Sequence, residues 1–211
     1  MASTIVHLAV AGMIATVLLG EAFDKRSLSI VLIVTAIPDL DSFLALYATA
    51  GHRTLLHNIW IPLLAAVLLW IDLRIRDQSY IEDRWGGWGI RVAWVSIVCY
   101  LLAHIALDLT DGVVNLFWPL HDQFYTLRGE IELSNQRGIV QTFTESGDGI
   151  LLLEAAGGTE QREITTGVDP GDGETERTFP VFGSGLELLV TIIGTVVTAA
   201  RFWLPQQLPG D

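Results

Sequence analysis

The feature that most constrains this chain is an apolar run from Gly89 to Leu107 that carries ionisable residues at its end. The run is long enough to cross a lipid bilayer as a helix. His104, Asp108 and Asp111 follow at intervals of four and three residues, which places all three on one helix face. Ionisable side chains inside a membrane are costly, so they usually face a protein interior and serve a function. An imidazole and carboxylates are typical metal ligands, although a hydrogen bond between two helices would use the same pair.

The composition indicates a membrane protein. Hydrophobic residues make up 51% of the chain, and the mean hydropathy of +0.46 exceeds that of an ordinary soluble domain. The net charge is −12, with twelve acids against four arginines between Asp122 and Arg177. This acidic, lysine-poor composition is typical of halophilic archaea. It excludes nucleic acid as a partner, because no basic patch is present to neutralise phosphates.

Apolar runs near twenty residues predict an all-α polytopic membrane protein with about five transmembrane helices. A small β-rich extramembrane insertion is predicted between the fourth helix and the fifth. The predicted spans are Ser3–Gly20, Leu28–Ala50, Leu55–Ile71, Gly89–Leu109 and Leu186–Leu204. The first is interpreted as a retained span rather than a cleaved signal, because no basic residue precedes it. The second is a broken span, because Pro38 interrupts it and places Asp39 and Asp41 at the break.

Three domains follow from these spans. Residues 1–125 form a four-helix membrane domain with the candidate site, 126–183 an acidic, β-rich extracytoplasmic insertion, and 184–211 the fifth helix with a short tail. Alternating apolar residues in the insertion predict strands at Glu130–Leu133, Ile139–Phe143 and Ile150–Leu153. The Gly- and Asp-rich stretch 168–177 is interpreted as a flexible loop.

Basic residues predict the orientation in the cell membrane. They follow the first span, follow the third span and lie near the end of the fifth, at Lys25, Arg26, Arg74, Arg76, Arg84 and Arg201. With alternating spans all of these positions share one side, which is the cytoplasmic side by the positive-inside rule. The N-terminus and the acidic insertion are therefore expected outside the cytoplasm.

Histidines and acids from several predicted spans fall at one depth, in the outer half of the membrane. They are His7 in the first span, Asp39 and Asp41 in the second, His52 and His57 beside the third, and His104, Asp108 and Asp111 in the fourth. An ion pathway needs polar groups at successive depths, so crowding at one depth favours catalysis. Imidazole and carboxylate ligands suit zinc, with manganese or iron as alternatives.

We predict that one or two divalent ions bind at this depth, held by His7, Asp39, Asp41, His57, His104 and Asp108. One of the two acids beside Pro38 could instead cap a resumed helix. Arg53 could pair with a carboxylate or hold a phosphate, and we predict that it holds the phosphate of the substrate. Asp111 or His52 would serve as a general base or would orient a ligand. Trp118 is interpreted as an interfacial anchor.

Five motifs, in order, resemble the YdjM-like family of membrane-bound metal-dependent hydrolases, also described as LexA-binding inner-membrane hydrolases. The motifs are His7, Pro38–Asp41, His52–His57, His104–Asp108 and Trp118-Pro119, and the resemblance covers about residues 1–125. The ligand order is more loosely similar to that of zinc-dependent phospholipase C. The N-terminal Trp ligand and the later His-x-x-x-Glu of that family have no counterpart, so one or two metals are expected rather than three.

Together with the clustered residues, the resemblance implies a membrane-embedded metal-dependent hydrolase. Its expected substrate is a phosphate ester or a lipid-like molecule near the outer membrane interface, and membrane lipid is its expected surrounding. Two other classes of protein stay open. One is a non-enzymatic membrane protein with a structural metal or polar cluster, whose acidic outer segment binds a partner. The other is an ion or proton transporter.

Overall fold

A computed structural model describes residues 3–44, 52–143, 152–161 and 181–204. The α-helices are α1 (Thr4–Leu18), α2 (Lys25–Ala36), α3 (Asp41–Leu44), α4 (Trp60–Arg74), α5 (Tyr80–Cys99), α6 (Leu107–Asp111) and α7 (Gly185–Trp203). Short 3₁₀ turns occupy Gly20–Ala22 and Pro38–Leu40, and a π-helical segment, Tyr100–Ala106, joins α5 to α6. The strands are β1 (Tyr125–Thr126), β2 (Ile131–Ser134), β3 (Gly138–Gln141) and β4 (Glu154–Ala155). The chain divides into two compact units.

One unit, the helical unit, contains the described residues 3–36, 62–103 and 181–204. Its core is formed by small and aliphatic side chains of α1, α2 and α5, including Ala11, Val31 and Val95. Helices α1 and α7 pack closely because small residues face each other, as is common between membrane helices. A Cβ added at Gly194 would lie 2.6 Å from the backbone oxygen of Ala9.

Helices α1 and α7 run in the same direction. At their beginnings, Ser3 Oγ donates a hydrogen bond to the backbone oxygen of Val181 at 2.6 Å. At their ends, Arg201 donates to the backbone oxygen of Gly20 at 3.4 Å. The two helices therefore begin on the same side of the helical unit.

The other unit, the site unit, contains the described residues among 37–61 and 104–161. The end of α6 is tied to the strand that follows it, because Leu127 N and Thr126 Oγ1 both donate to the backbone oxygen of Leu109, at 2.7 and 3.1 Å. Strand β1 pairs with β4, and β2 pairs with β3 as a hairpin, both antiparallel.

The prediction of a five-span, all-α protein is wrong. Within the described part of the chain, two helical stretches are long and apolar enough to cross a bilayer, Tyr80–Asp111 and Gly185–Trp203. Helix α2 has 12 residues, which gives about 18 Å at the usual rise. Helices α1 and α4 have 15 residues each, or about 22 Å, against a hydrocarbon core of about 30 Å. Two small sheets accompany the helices.

The physical reason is that the apolar runs contain helix ends that hydropathy does not register. The predicted second span is divided because α2 ends at Ala36 and Pro38 begins a 3₁₀ turn; its last residues, 45–50, lie outside the described ranges. In the predicted third span, α4 begins only at Trp60, where Asn58 Oδ1 accepts from the backbone nitrogens of Trp60 and Ile61, at 3.1 and 3.3 Å.

In the predicted insertion, β2 and β3 overlap the first two predicted strands. The third, Ile150–Leu153, begins outside the described residues, and β4 follows it at Glu154. The predicted loop at 168–177 also lies outside the described residues.

Candidate metal centre

Two turns in the site unit bring their acids and histidines to the end of the long helical stretch. The 3₁₀ turn after Ile37 carries Asp39, and the short helix α3 begins at Asp41. The Asp39 side chain is 23% exposed, whereas that of Asp41 is completely buried. The second turn runs from His52 to the start of α4 and carries both histidines of the His-Arg-x-x-x-His motif.

Asp41 lies between the two histidines of this motif. Its Oδ1 is 2.6 Å from His52 Nδ1 and its Oδ2 is 2.8 Å from His57 Nδ1. Burial alone would raise the pKa of Asp41, but the hydrogen bonds of the two imidazoles outweigh burial and hold this pKa below its usual range. An ionised carboxylate only accepts hydrogen bonds, so Nδ1 of each ring carries the proton. In the neutral tautomer, Nε2 of His57 is left with a lone pair.

Four side-chain atoms, one of them His57 Nε2, lie close together on the side of His57 that faces away from Asp41. Its Nε2 is 3.0 Å from His104 Nε2, 3.2 Å from Asp108 Oδ2 and 3.9 Å from Asp39 Oδ1. His104 Nε2 is 3.5 Å from Asp39 Oδ1 and 3.7 Å from Asp108 Oδ2. Ligands at about 2.1 Å from a tetrahedral metal are separated by about 3.4 Å. We call Asp39, His57, His104 and Asp108 the ligand cluster.

Arg53 binds the carboxylate oxygen of Asp108 that does not face the imidazoles. Its Nη2 donates a short hydrogen bond to Asp108 Oδ1, and Nη1 lies 3.4 Å from the backbone oxygen of Val113. Both side chains of the pair are buried, at 2% and 1% exposure. Since Oδ1 is taken by the guanidinium, Oδ2 is the atom that points toward the two imidazoles. The ion pair thus orients the carboxylate.

The backbone around Arg53 positions its side chain for the contact with Asp108. Arg53 has a positive φ of 68°, a backbone conformation that residues other than glycine rarely adopt. Its backbone oxygen accepts a hydrogen bond from Asn115 N at 3.0 Å. A Cβ added at Gly112 would overlap the guanidinium. Asn115 is completely buried, and its side-chain amide donates to Asp122 at 2.6 Å. Asn115 was not predicted from the sequence, where its one signal is a polar residue between two apolar ones.

The other predicted site residues lie as follows. His52 is 9% exposed and faces Asp41. Asp111 is the last residue of α6, one turn beyond Asp108. His7 belongs to the helical unit, where it is buried and its Nδ1 lies 2.9 Å from the backbone oxygen of Ala103.

The residues of the site unit fit a divalent metal. Three atoms, from His57, His104 and Asp108, lie within 4.8 Å of one another and all three residues are buried. Two imidazoles and two carboxylates are a donor set for zinc, manganese or iron. A carboxylate behind a ligating histidine is the usual support of such a site, and Asp41 occupies that place. A hydrogen bond between the two Nε2 atoms is the other arrangement that 3.0 Å permits.

Comparison with known proteins identifies one family. The family described as YdjM inner membrane protein matches residues 1–158, which is well over half of the chain and includes the whole ligand cluster. No curated protein and no solved structure matches the chain.

Proposed function

This chain belongs to the YdjM inner membrane protein family, and we propose that it is a membrane-embedded, metal-dependent hydrolase whose active site is the ligand cluster. The resemblance stated from the motifs is thereby confirmed at the level of the family. The observation that carries the proposal is the set of Nε2 and carboxylate oxygen atoms that lie 3.0–3.9 Å apart around His57 and His104.

In this proposal Asp39, His57, His104 and Asp108 hold the ion, and zinc is the metal that best suits them. The sequence predicts one or two ions, with His7 and Asp41 also among the ligands. Asp41 would act through His57 by holding its ring in the tautomer that presents a lone pair. The chemistry that a divalent metal supplies when bound is Lewis acidity, which activates water and polarises an ester oxygen.

The remaining side chains have separate roles. Arg53 is already engaged with Asp108, so we assign it to orienting that ligand instead of the phosphate-binding role that the sequence predicts. Asp39 is the most exposed member of the ligand cluster, and a substrate would enter on its side. His52 and Asp111 are the candidates for accepting the proton of the attacking water.

A phosphate ester of a lipid is the proposed substrate class, reached at the outer membrane interface. Basic residues lie before and near the start of the stretch Tyr80–Asp111 and near the end of α7, at Arg74, Arg76, Arg84 and Arg201. By the positive-inside rule these ends would lie in the cytoplasm, and the end of the stretch at Asp111 would lie near the outer face. The N-terminus would share the outer side, because α1 runs parallel to α7.

One observation favours a second candidate function. The side chains of His57, His104 and Asp108 are at most 1% exposed, and structural metal sites are closed whereas catalytic ones keep an open position. A non-enzymatic membrane protein with a structural metal is therefore the alternative, and its acidic outer segment would bind a partner.

Activity measurements separate the two functions. The zinc-loaded protein in detergent would be assayed against phospholipid micelles and a chromogenic phosphodiester, beside His104→Ala and Asp108→Ala. His121→Ala is the matched control, because it removes an exposed histidine of the same unit. We expect the two ligand variants to lose at least about a hundredfold in rate, with the control unchanged. Wild-type protein that retains metal and hydrolyses none of these esters would favour the structural site.

A further inference from the structure

The β2–β3 hairpin carries an aliphatic face that the site does not use. Ile131, Leu133 and Ile139 are 68%, 84% and 76% exposed. Leu133 pairs directly with Ile139, and Ile131 is two residues before Leu133 on the same strand, so all three project from one face. Clustered exposed aliphatic side chains usually mark a surface that is covered in the working protein.

The hairpin is a formed structure and not a loose loop. At its base, Glu130 N donates to Thr142 Oγ1 and Thr142 N donates to the backbone oxygen of Glu130, both at 3.0 Å. Toward its tip, Glu132 pairs with Arg137 across the turn. Strand alternation puts Glu132 on the face opposite Leu133. The hairpin therefore has two different faces, one formed by Ile131, Leu133 and Ile139, and the other by the Glu132–Arg137 ion pair with Val140.

Its base is fixed to the end of a membrane-spanning stretch. The stretch Tyr80–Asp111 is long and apolar enough to span, and Leu109 in its last turn accepts hydrogen bonds from Thr126 and Leu127. Strand β2 begins four residues later at Ile131, which an extended chain covers in about 14 Å. The hairpin is thus held close to the level at which the helix leaves the hydrocarbon core.

Charge favours lipid as the occupant of this face. Residues 128–141 carry two acids and two arginines and are neutral, whereas the segment Asp122–Arg177 around them has twelve acids and four arginines. A neutral, aliphatic element inside an acidic segment suits the boundary between headgroups and acyl chains. We propose that the hairpin lays the face formed by Ile131, Leu133 and Ile139 on the membrane surface from which the stretch Tyr80–Asp111 emerges. This proposal is independent of hydrolysis.

Nitroxide labels on the full-length protein test the placement. The native Cys99 is buried and would be replaced by alanine, and a single label would be attached at Leu133→Cys. Glu132→Cys is the matched control, since it is the adjacent residue on the opposite face. In phosphatidylcholine vesicles we expect a several-fold higher ratio of oxygen to water-soluble nickel-chelate collisions at position 133 than at 132.

Three results would overturn the proposal. Equal collision ratios at the two positions would mean that the aliphatic face lies no closer to lipid than the opposite face. Exclusion of both reagents from position 133 would mean that protein, such as a second copy of the chain, covers it. Equally mobile spectra at both positions would show that the hairpin does not form in the membrane-bound protein.

Discussion

Replacing Asp41 by asparagine tests whether this carboxylate supports the metal through His57. The substitution keeps the shape of the side chain and one acceptor oxygen, but it converts the other oxygen into an NH₂ donor. In the native site both oxygens accept from Nδ1 atoms, at 2.6 and 2.8 Å. The variant therefore cannot satisfy both imidazoles in their native tautomers. Either His52 or His57 must change its protonation.

The size of the effect follows from this choice. If the new NH₂ group faces His57, Nδ1 of that ring must accept and the ring must carry its proton on Nε2. This is the atom that lies 3.0 Å from His104 and would otherwise bind the metal. If the NH₂ group faces His52, His57 remains a ligand but loses the negative charge of the carboxylate behind it. Loss of such support weakens metal affinity about 10–100-fold, or about 1.4–2.7 kcal/mol. We expect Asp41→Asn to fall within this range.

Competition with a chromophoric zinc chelator in detergent would measure the dissociation constants. His52→Gln is the control, because it removes the other partner of Asp41 and leaves His57 in place; its affinity should stay near that of the wild type. An unchanged affinity in Asp41→Asn would refute the supporting role. A loss as complete as that in His104→Ala would exceed the effect of a support and would mean that a ligand is gone, either His57 through a proton on Nε2 or Asp41 itself, which the sequence predicts as a ligand.

Three further predictions concern stability and its pH dependence. Gly112→Ala pushes a Cβ into the buried guanidinium and should cost about 1–3 kcal/mol and weaken metal retention, measured by thermal unfolding and metal content. Gly194→Leu drives side-chain atoms into the facing backbone of α1, so the melting temperature of this variant should also fall. Gly87→Ala is the control, because a Cβ there meets no neighbour within 4 Å, and it should change neither the melting temperature nor the metal content. Burial raises the pKa of Asp122, but hydrogen bonds, chiefly from Thr159, outweigh it and lower this pKa. A lowered folded-state pKa gives stability that is present above the unfolded value of about 3.9 and is lost as the pH falls through the folded one. The difference in melting temperature between wild type and Asp122→Asn should therefore be largest near neutral pH and close on acidification; a difference that does not change with pH would contradict the assignment.

Much of the candidate site could be predicted because its residues are chemically unusual where they stand. Histidines and acids in apolar surroundings need a common reason, and the spacing of His104 and Asp108 put both on one helix face. The structure brings these two together with Asp39 and His57. Polarity and periodicity identify candidates for a common site, because an isolated charge in an apolar interior is too costly to keep.

The separate roles within the cluster could not be read in the same way. Whether an aspartate faces Nδ1 or Nε2 of a histidine depends on side-chain rotamers and on the path of the loop, which sequence spacing does not specify. Asp39 and Asp41 are two residues apart, yet one lies on the Nε2 side of His57 and the other binds its Nδ1. The positive φ of Arg53 is equally invisible, because it is a property of the folded turn.

The span count was wrong for a related reason. Hydropathy sums apolar residues whether or not they share one hydrogen-bonded helix. Leu55 and Leu56 raise the score of the predicted third span, but they lie in the turn before Asn58 caps α4. The hairpin strands were easier to place, because alternation with period two is a local pattern.

The central claim, that the ligand cluster holds a divalent metal, is tested most directly by elemental analysis of the protein purified in detergent without chelators. We predict at least one equivalent of a divalent metal, zinc first, in the wild type and in His121→Ala. The same preparation of His104→Ala, with folding checked by circular dichroism, should have lost it. A wild-type protein without bound metal, or a folded His104→Ala that retains the full amount, would contradict the account.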